Sequence, residues 1–179
     1  MRRGFPRAYP GMKVGLFGGS FDPAHEGHAH VAQTALARLK LDKVWWLATP
    51  QNPLKPKSAP LTARMASARR YARGAKMEVS DLETKLGVRY TYQTLRALKR
   101  LYPGVKFTFV MGADNLDTFT QWRRWREAAA ALPFAVVARP LAKHSVPANF
   151  PPSWRFLRAR LHPQSSSLIR AKVAEPSRS

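Results

Sequence analysis

Short apolar runs alternate with stretches of helical periodicity along this chain, and that alternation most narrows the folds open to it. Residues 12–17 are apolar and stop at Gly18-Gly19, which reads as a buried strand entering a tight turn. Residues 27–40 then place Ala29, Ala32, Ala35, Leu36 and Leu39 at helical spacing. A second strand is predicted over 44–48, a basic amphipathic helix capped by Thr62 over 62–73, and a brief strand over 77–79. Residues 92–102 set Leu95, Leu98 and Leu101 or Tyr102 along one helix face ended by Pro103-Gly104. Further strands are predicted at 106–111, 134–138 and 154–161, with helices at 122–131 and 164–173. Residues 49–60 hold four prolines and must be a loop, because proline fixes φ and donates nothing to a ladder. Strands alternating with helices, without internal repeats, give an α/β protein built on a doubly wound parallel sheet. Such sheets bind ligands beyond the C-terminal ends of their strands, where the strand order reverses.

At 179 residues the chain is long enough for one self-sufficient core and short for two. A single domain is expected over 12–179, preceded by a flexible basic extension at 1–11. The chain has no cysteine, which excludes a disulfide framework, a thiolate metal site and a cysteine nucleophile. Its longest apolar runs, such as 128–132 and 133–138, fall far short of the roughly 20 residues that span a bilayer. No apolar segment follows the three arginines near the start, so no signal peptide is read and a soluble cytoplasmic protein is expected.

Lys plus Arg number 31 against 10 for Asp plus Glu, a formal net charge of +21. That surplus is the footprint of a nucleic-acid binder. The positive residues are scattered, however, from Arg64, Arg69, Arg70 and Arg73 through Lys99, Arg100, Arg123, Arg124 and Arg126 to Arg155, Arg158 and Arg160. No stacking motif or Cys/His finger accompanies them, and a basic surface that draws phosphorylated ligands explains the scatter equally well. The acids are more telling. Asp22, Glu26, Asp114 and Asp117 all fall within two short motif segments.

The first segment is GGSFDPAHEGH, residues 18–28. Gly18 and Gly19 let backbone approach a ligand without a Cβ in the way, and the helix that follows offers unpaired N–H groups to phosphate. His25 and His28, three apart, share one face and can both donate to phosphate oxygens. A zinc-protease reading fails on spacing, since that pattern needs two histidines four apart with Glu directly after the first. His30 reads as a bystander. The run GSFDPAHEGH resembles the phosphate-binding signature of the nucleotidylyltransferase superfamily, in which G-x-F-D-P is followed by [HT]-x-G-H. Class I aminoacyl-tRNA synthetases share a related element but are longer and carry a second lysine-rich loop that this chain lacks.

The second segment starts at Gly112-Ala113-Asp114 and runs through Phe119, Trp122 and Trp125 at offsets of three. Aromatics so spaced can be a core stripe; the run also resembles the GAD-x-L-x-x-F-x-x-W-x-x-W of bacterial nicotinate mononucleotide adenylyltransferases. Residues 89–95 (RYTYQTL) resemble that family's Y-T-x-x-T-L stretch. QSSSLIR, residues 164–170, resembles its C-terminal I-S-S-T-x-[IV]-R, with Gln164 in place of Ile and Ser167 in place of Thr. The matches run from about residue 12 to residue 170.

The resemblance implies a Rossmann-like nucleotidylyltransferase fold and adenylyl transfer from ATP to nicotinate mononucleotide, with small-molecule substrates and neither a nucleic-acid nor a membrane partner. It assigns His25, His28 and Arg170 to catalysis. Gly18, Gly19, Ser20, Phe21, Gly112, Asp114, Ser165, Ser166 and Ser167 would bind ATP, and Thr91 and Trp122 the mononucleotide, whose phosphate Lys55, in the proline-rich loop, is expected to meet. Mg²⁺ is expected with the ATP phosphates, because the motifs offer no carboxylate cluster to hold it. Two other readings stay open here. One is a sister transferase acting on nicotinamide mononucleotide or phosphopantetheine, and the other a basic nucleic-acid-binding module with a vestigial site. Oligomeric state is not legible.

Overall fold

The computed structural model describes residues 4–50, 58–138 and 151–158. Six strands form one sheet: β1 (Lys13–Gly19), β2 (Lys43–Ala48), β3 (Met77–Ser80), β4 (Lys106–Gly112), β5 (Phe134–Ala138) and β6 (Arg155–Arg158). They lie in the order β3-β2-β1-β4-β5-β6, and every neighbouring pair is parallel. The helices among the described residues are α1 (Glu26–Arg38), α2 (Leu61–Tyr71), α3 (Leu82–Leu86), α4 (Thr91–Leu101), α5 (Leu116–Phe119) and α6 (Trp125–Ala131).

Strand alternation divides the core in two. Leu16, Trp45, Leu47 and Phe109 face one side and pack with Leu82, Leu95, Leu98, Phe119 and Ala128 from α3 to α6. Their chain neighbours Phe17, Trp46 and Val110 face the other and meet Val31, Ala32 and Ala35 of α1 and Met65 and Ala68 of α2. Adjacent tryptophans, Trp45 and Trp46, thus fill opposite layers, which is why the strand reads as a continuous apolar run.

The predicted strands agree with those observed, within a few residues at the ends, and residues 159–161 of the last one lie outside the described residues. The helices differ more. Thr62 does not cap α2: the helix starts at Leu61 and Pro60 occupies the N-cap position. Helix α6 begins at Trp125, after Arg124 in a left-handed conformation (φ 53°), so Trp122 lies in a turn and not on that helix. The segment after β4 forms a 3₁₀ turn, Ala113–Asn115, and the one-turn α5. Helix α3 was not foreseen; it is five residues long, too short to show periodicity. The predicted helix at 164–173 lies outside the described residues.

Residues 4–11, expected to be a flexible extension, are packed in place. Ala8 is buried and Phe5 rests against the α3–α6 side of the core. The Tyr102 hydroxyl donates to the carbonyl of Pro6 at 2.8 Å, Lys85 Nζ to that of Gly4 at 2.7 Å, and Gly11 N–H to that of Gly104 at 2.8 Å. This strap covers the N-terminal ends of β1 and β4, away from the glycine turns. It binds a surface assembled from distant segments, so its own composition does not announce it.

Candidate functional site

The sheet order reverses between β1 and β4, so the crevice for a ligand lies at their C-terminal ends. Gly18-Gly19 closes β1 there and Gly112 closes β4. Both glycine positions have a steric reason. A Cβ on Gly19 would sit 2.8 Å from Phe21 Cε1, and one on Gly18 would sit 3.1 Å from Phe109 Cζ. A Cβ on Gly112 would fall onto the Asp114 carboxylate. Phe21 takes a left-handed backbone (φ 50°) and turns its ring inward, 1 % exposed, against Phe17, Trp46 and His28. Its ring therefore supports the turn from beneath.

The two histidines build the start of α1 together. His25 is the N-cap, and its Nδ1 accepts the Gly27 N–H at 3.1 Å; His28 Nδ1 accepts the His25 N–H at 3.2 Å. His25 thus takes the acceptor role that Ser or Asp usually fills at the N-cap, and His28 the one that Glu or Gln usually fills three residues on. A ring nitrogen that accepts carries no proton, so the proton of each neutral ring is on Nε2. The rings lie 3.9 Å apart, centroid to centroid. The capping bonds fix both ring orientations and direct both donors away from the helix backbone. His28 stands one turn before Val31, whose Cγ2 is 3.8 Å from where a Gly112 Cβ would be, so α1 brings the histidines beside the end of β4. His30, the expected bystander, has a buried Nε2 without a hydrogen-bond partner.

On the other side of the sheet, Trp122 packs edge-on against Phe109 (6.2 Å) and at a tilt against Phe119 (5.0 Å). Since Phe109 is the ring that touches the Gly18 position, Trp122 reaches the glycine turn through one intervening side chain. Thr91 opens α4 directly after Tyr90. The two segments meet through cations over rings: the Arg123 guanidinium is 5.4 Å from the Tyr90 centroid and that of Arg124 4.9 Å from Tyr92. Arg124, also paired with Glu127, holds its proton more tightly than usual because of its bonds to Tyr92 and Glu127. The structure thus brings the segments of Thr91 and Trp122 to one side of the crevice. Lys55, Ser165, Ser166, Ser167 and Arg170 lie outside the described residues.

Two buried residues with charged side chains escaped the sequence reading. Arg64, counted there among scattered surface charges, is 2 % exposed, and burial weakens its hold on its proton while Asp22 strengthens it. Glu83 is 8 % exposed; it accepts the Thr94 hydroxyl at 2.8 Å and a second bond from Thr49. Burial pushes the Glu83 carboxyl above the ordinary range, and the two hydroxyls offset part of that rise. An Arg amid basic residues carries no signal of burial, and Glu83 sits in the unforeseen helix. Among the described residues, no group of three His, Asp or Glu side chains is placed to hold a metal ion, and no helix is long and apolar enough to cross a membrane.

The cytidylyltransferase-like family profile matches residues 16–172. A Caulobacter protein named as a probable nicotinate-nucleotide adenylyltransferase is 55% identical over 167 residues, 92% of this chain and 87% of that protein. One of the same name from Roseobacter denitrificans is 50% identical over 178 residues, covering 98% and 88%. In fold, the chain is similar to the nicotinic acid mononucleotide adenylyltransferase of Plasmodium falciparum, solved with NaAD: TM-score 0.74, 20% identity, 89% of this chain and 83% of that one. A glycine turn and helix cap at the β1/β4 reversal, a profile that spans nearly the whole chain and relatives of 50% and 55% identity agree. The chain belongs to the cytidylyltransferase-like nucleotidyltransferases, in the branch of the nicotinate-nucleotide adenylyltransferases.

Proposed function

We propose that this protein transfers the adenylyl group of ATP to nicotinate mononucleotide, giving deamido-NAD and pyrophosphate in NAD biosynthesis. The observation that carries the reading is the glycine turn after β1, leading into two histidines held by the helix cap, beside Gly112 where the strand order reverses. A 5′-phosphate oxygen of the mononucleotide attacks the α-phosphorus of ATP in line, and the bond from that phosphorus to the pyrophosphate oxygen breaks. The nucleophile is already an anion, so no general base and no covalent intermediate is needed. Positioning and charge neutralisation are what the protein supplies.

His28 Nε2, with His25 beside it, donates to the α-phosphate, and Gly18, Gly19 and Ser20 present backbone to it. Gly112 and Asp114 hold the adenosine. Ser165, Ser166, Ser167 and Arg170 take the β- and γ-phosphates, an assignment that rests on the resemblance of their motif, and Lys55, in the proline-rich loop, takes the mononucleotide phosphate. The described residues hold no carboxylate cluster for a metal, so Mg²⁺ would be carried by the ATP phosphates and would supply charge neutralisation on the leaving pyrophosphate. ATP is kept in the cytoplasm, which is where this reading puts the protein, as a single nucleotidylyltransferase domain.

The acceptor carries a carboxylate on its pyridine ring, which only accepts hydrogen bonds. Thr91 offers a hydroxyl and the N–H groups that open α4, and Trp122 its ring. The test is pyrophosphate release from ATP with nicotinate mononucleotide, nicotinamide mononucleotide and phosphopantetheine at one salt concentration. A higher kcat/KM for the nicotinate form is expected. Preference for the amide or for phosphopantetheine would overturn the substrate assignment, and RNA binding without pyrophosphate release would overturn the reaction.

A further inference from the structure

The guanidinium of Arg64 is surrounded by main-chain carbonyls. Nε donates to Ala59 O at 2.8 Å, Nη1 to Ser20 O at 2.7 Å and to Thr49 O at 2.8 Å, and Nη2 to Pro50 O at 2.7 Å. These oxygens belong to three stretches of chain: the turn after β1, the exit from β2, and the entry to α2. Three residues on, Ser67 Oγ accepts the Ala24 N–H at 3.0 Å. Helix α2 therefore grips the segment 20–24 at both ends, and between the grips lies Phe21 in its left-handed conformation. A non-glycine residue persists there only when its surroundings over-determine it.

A cation this buried is costly, and an apolar side chain of similar volume would fill the space. What an apolar residue could not do is tie four carbonyls from separate segments to one rigid fork. Two of the four, Thr49 O and Pro50 O, stand where the chain enters the proline-rich segment, and Ala59 O where it leaves. The other, Ser20 O, is in the phosphate turn, five residues before the His25 cap.

We propose that Arg64 is a positioning residue for adenylyl transfer, holding the phosphate turn in register with the base of the proline-rich acceptor segment, with Ser67 as its second anchor on the turn. The inference rests on the proposed reaction for its kinetic consequences and on geometry alone for the clamp. Because misplacement of a reacting group by about 1 Å can cost on the order of 100-fold, the clamp acts through placement without touching substrate.

Arg64→Lys and Arg64→Gln, which cannot reproduce the fork, are compared with Ser67→Ala at a temperature where each is folded. For the Arg64 variants, a fall in kcat of roughly 10- to 100-fold and a rise in the acceptor KM are expected together. Ser67→Ala, which touches only the turn, should lower kcat about threefold to tenfold, the worth of one neutral hydrogen bond, and leave the acceptor KM unchanged. Amide exchange should quicken at 20–24 in all three, and at 49–50 in the Arg64 variants alone. Folded Arg64 variants with kcat and both KM values within twofold of the parent would overturn the proposal. If neither Arg64 variant folds, Ser67→Ala at parental kcat and parental exchange overturns it. A parent that releases no pyrophosphate refutes the reaction instead, and the exchange pattern then decides the clamp.

Discussion

In the proposed reaction His28 does two jobs through two different nitrogens, and a pair of substitutions separates them. Nδ1 accepts the His25 N–H at 3.2 Å and completes the cap of α1; Nε2 is the donor assigned to the α-phosphate. His28→Ala removes both. Loss of a capping acceptor costs about 1 kcal/mol, which for a chain of this size lowers Tm by roughly 2–4 °C. Loss of a donor that acts on developing charge costs about 2.7–4 kcal/mol of transition-state stabilisation, or a kcat roughly 10²–10³-fold lower. His28→Asn keeps an acceptor atom close to the Nδ1 position while its amide nitrogen stops short of where Nε2 stands. It should therefore keep the cap and lose only the ring contacts with Phe17, Phe21 and His25, so its Tm should stand above that of His28→Ala by roughly 2–4 °C, while the full kcat factor is still lost. Thermal unfolding and a coupled pyrophosphate assay under saturating substrates measure the two quantities. A folded His28→Asn enzyme with kcat within threefold of the parent would remove Nε2 from the reaction. Equal losses of Tm in both variants would show that the cap does not depend on Nδ1.

Glu83 gives a pH-dependent prediction. Its folded carboxyl is pushed above the ordinary range by burial, so the folded state binds that proton more readily than the unfolded one. The stability it contributes is full below the unfolded value, near 4.3, and is lost as pH rises through the folded value, at about 1.4 kcal/mol for each tenfold change in proton affinity. Glu83→Gln keeps an acceptor for Thr94 and removes the titration. Its stability relative to the parent, from urea unfolding, should therefore rise as pH increases from about 4; a difference that is flat with pH refutes the argument. Gly112→Ala should displace the Asp114 carboxylate, on which its Cβ falls. The KM for ATP should rise about tenfold or more, as for a lost bond to a charged group, with the acceptor KM within twofold. An unchanged KM for ATP would take Asp114 out of the adenosine site.

The local grammar of the chain settled a good deal by itself. An apolar run can become a strand, and two glycines a turn, from information held in neighbouring residues. The five predicted strands up to β5 and the helices α1, α2 and α4 follow from such signals, as does the glycine turn that leads from β1 into α1. What the chain could not declare was decided between segments far apart in sequence. The order β3-β2-β1-β4-β5-β6 puts Gly19 beside Gly112, and strand order is a choice among long-range pairings that no local pattern encodes. The burial of Arg64 depends on carbonyls at 20, 49, 50 and 59, so the residue that looked like one more surface cation became a tie between segments. The strap at 4–11 is held by Tyr102, Lys85 and Gly104, and it has no docking surface until the sheet exists. Local propensity is a property of neighbours, whereas satisfying a buried polar group requires partners that only the assembled fold brings within hydrogen-bonding distance.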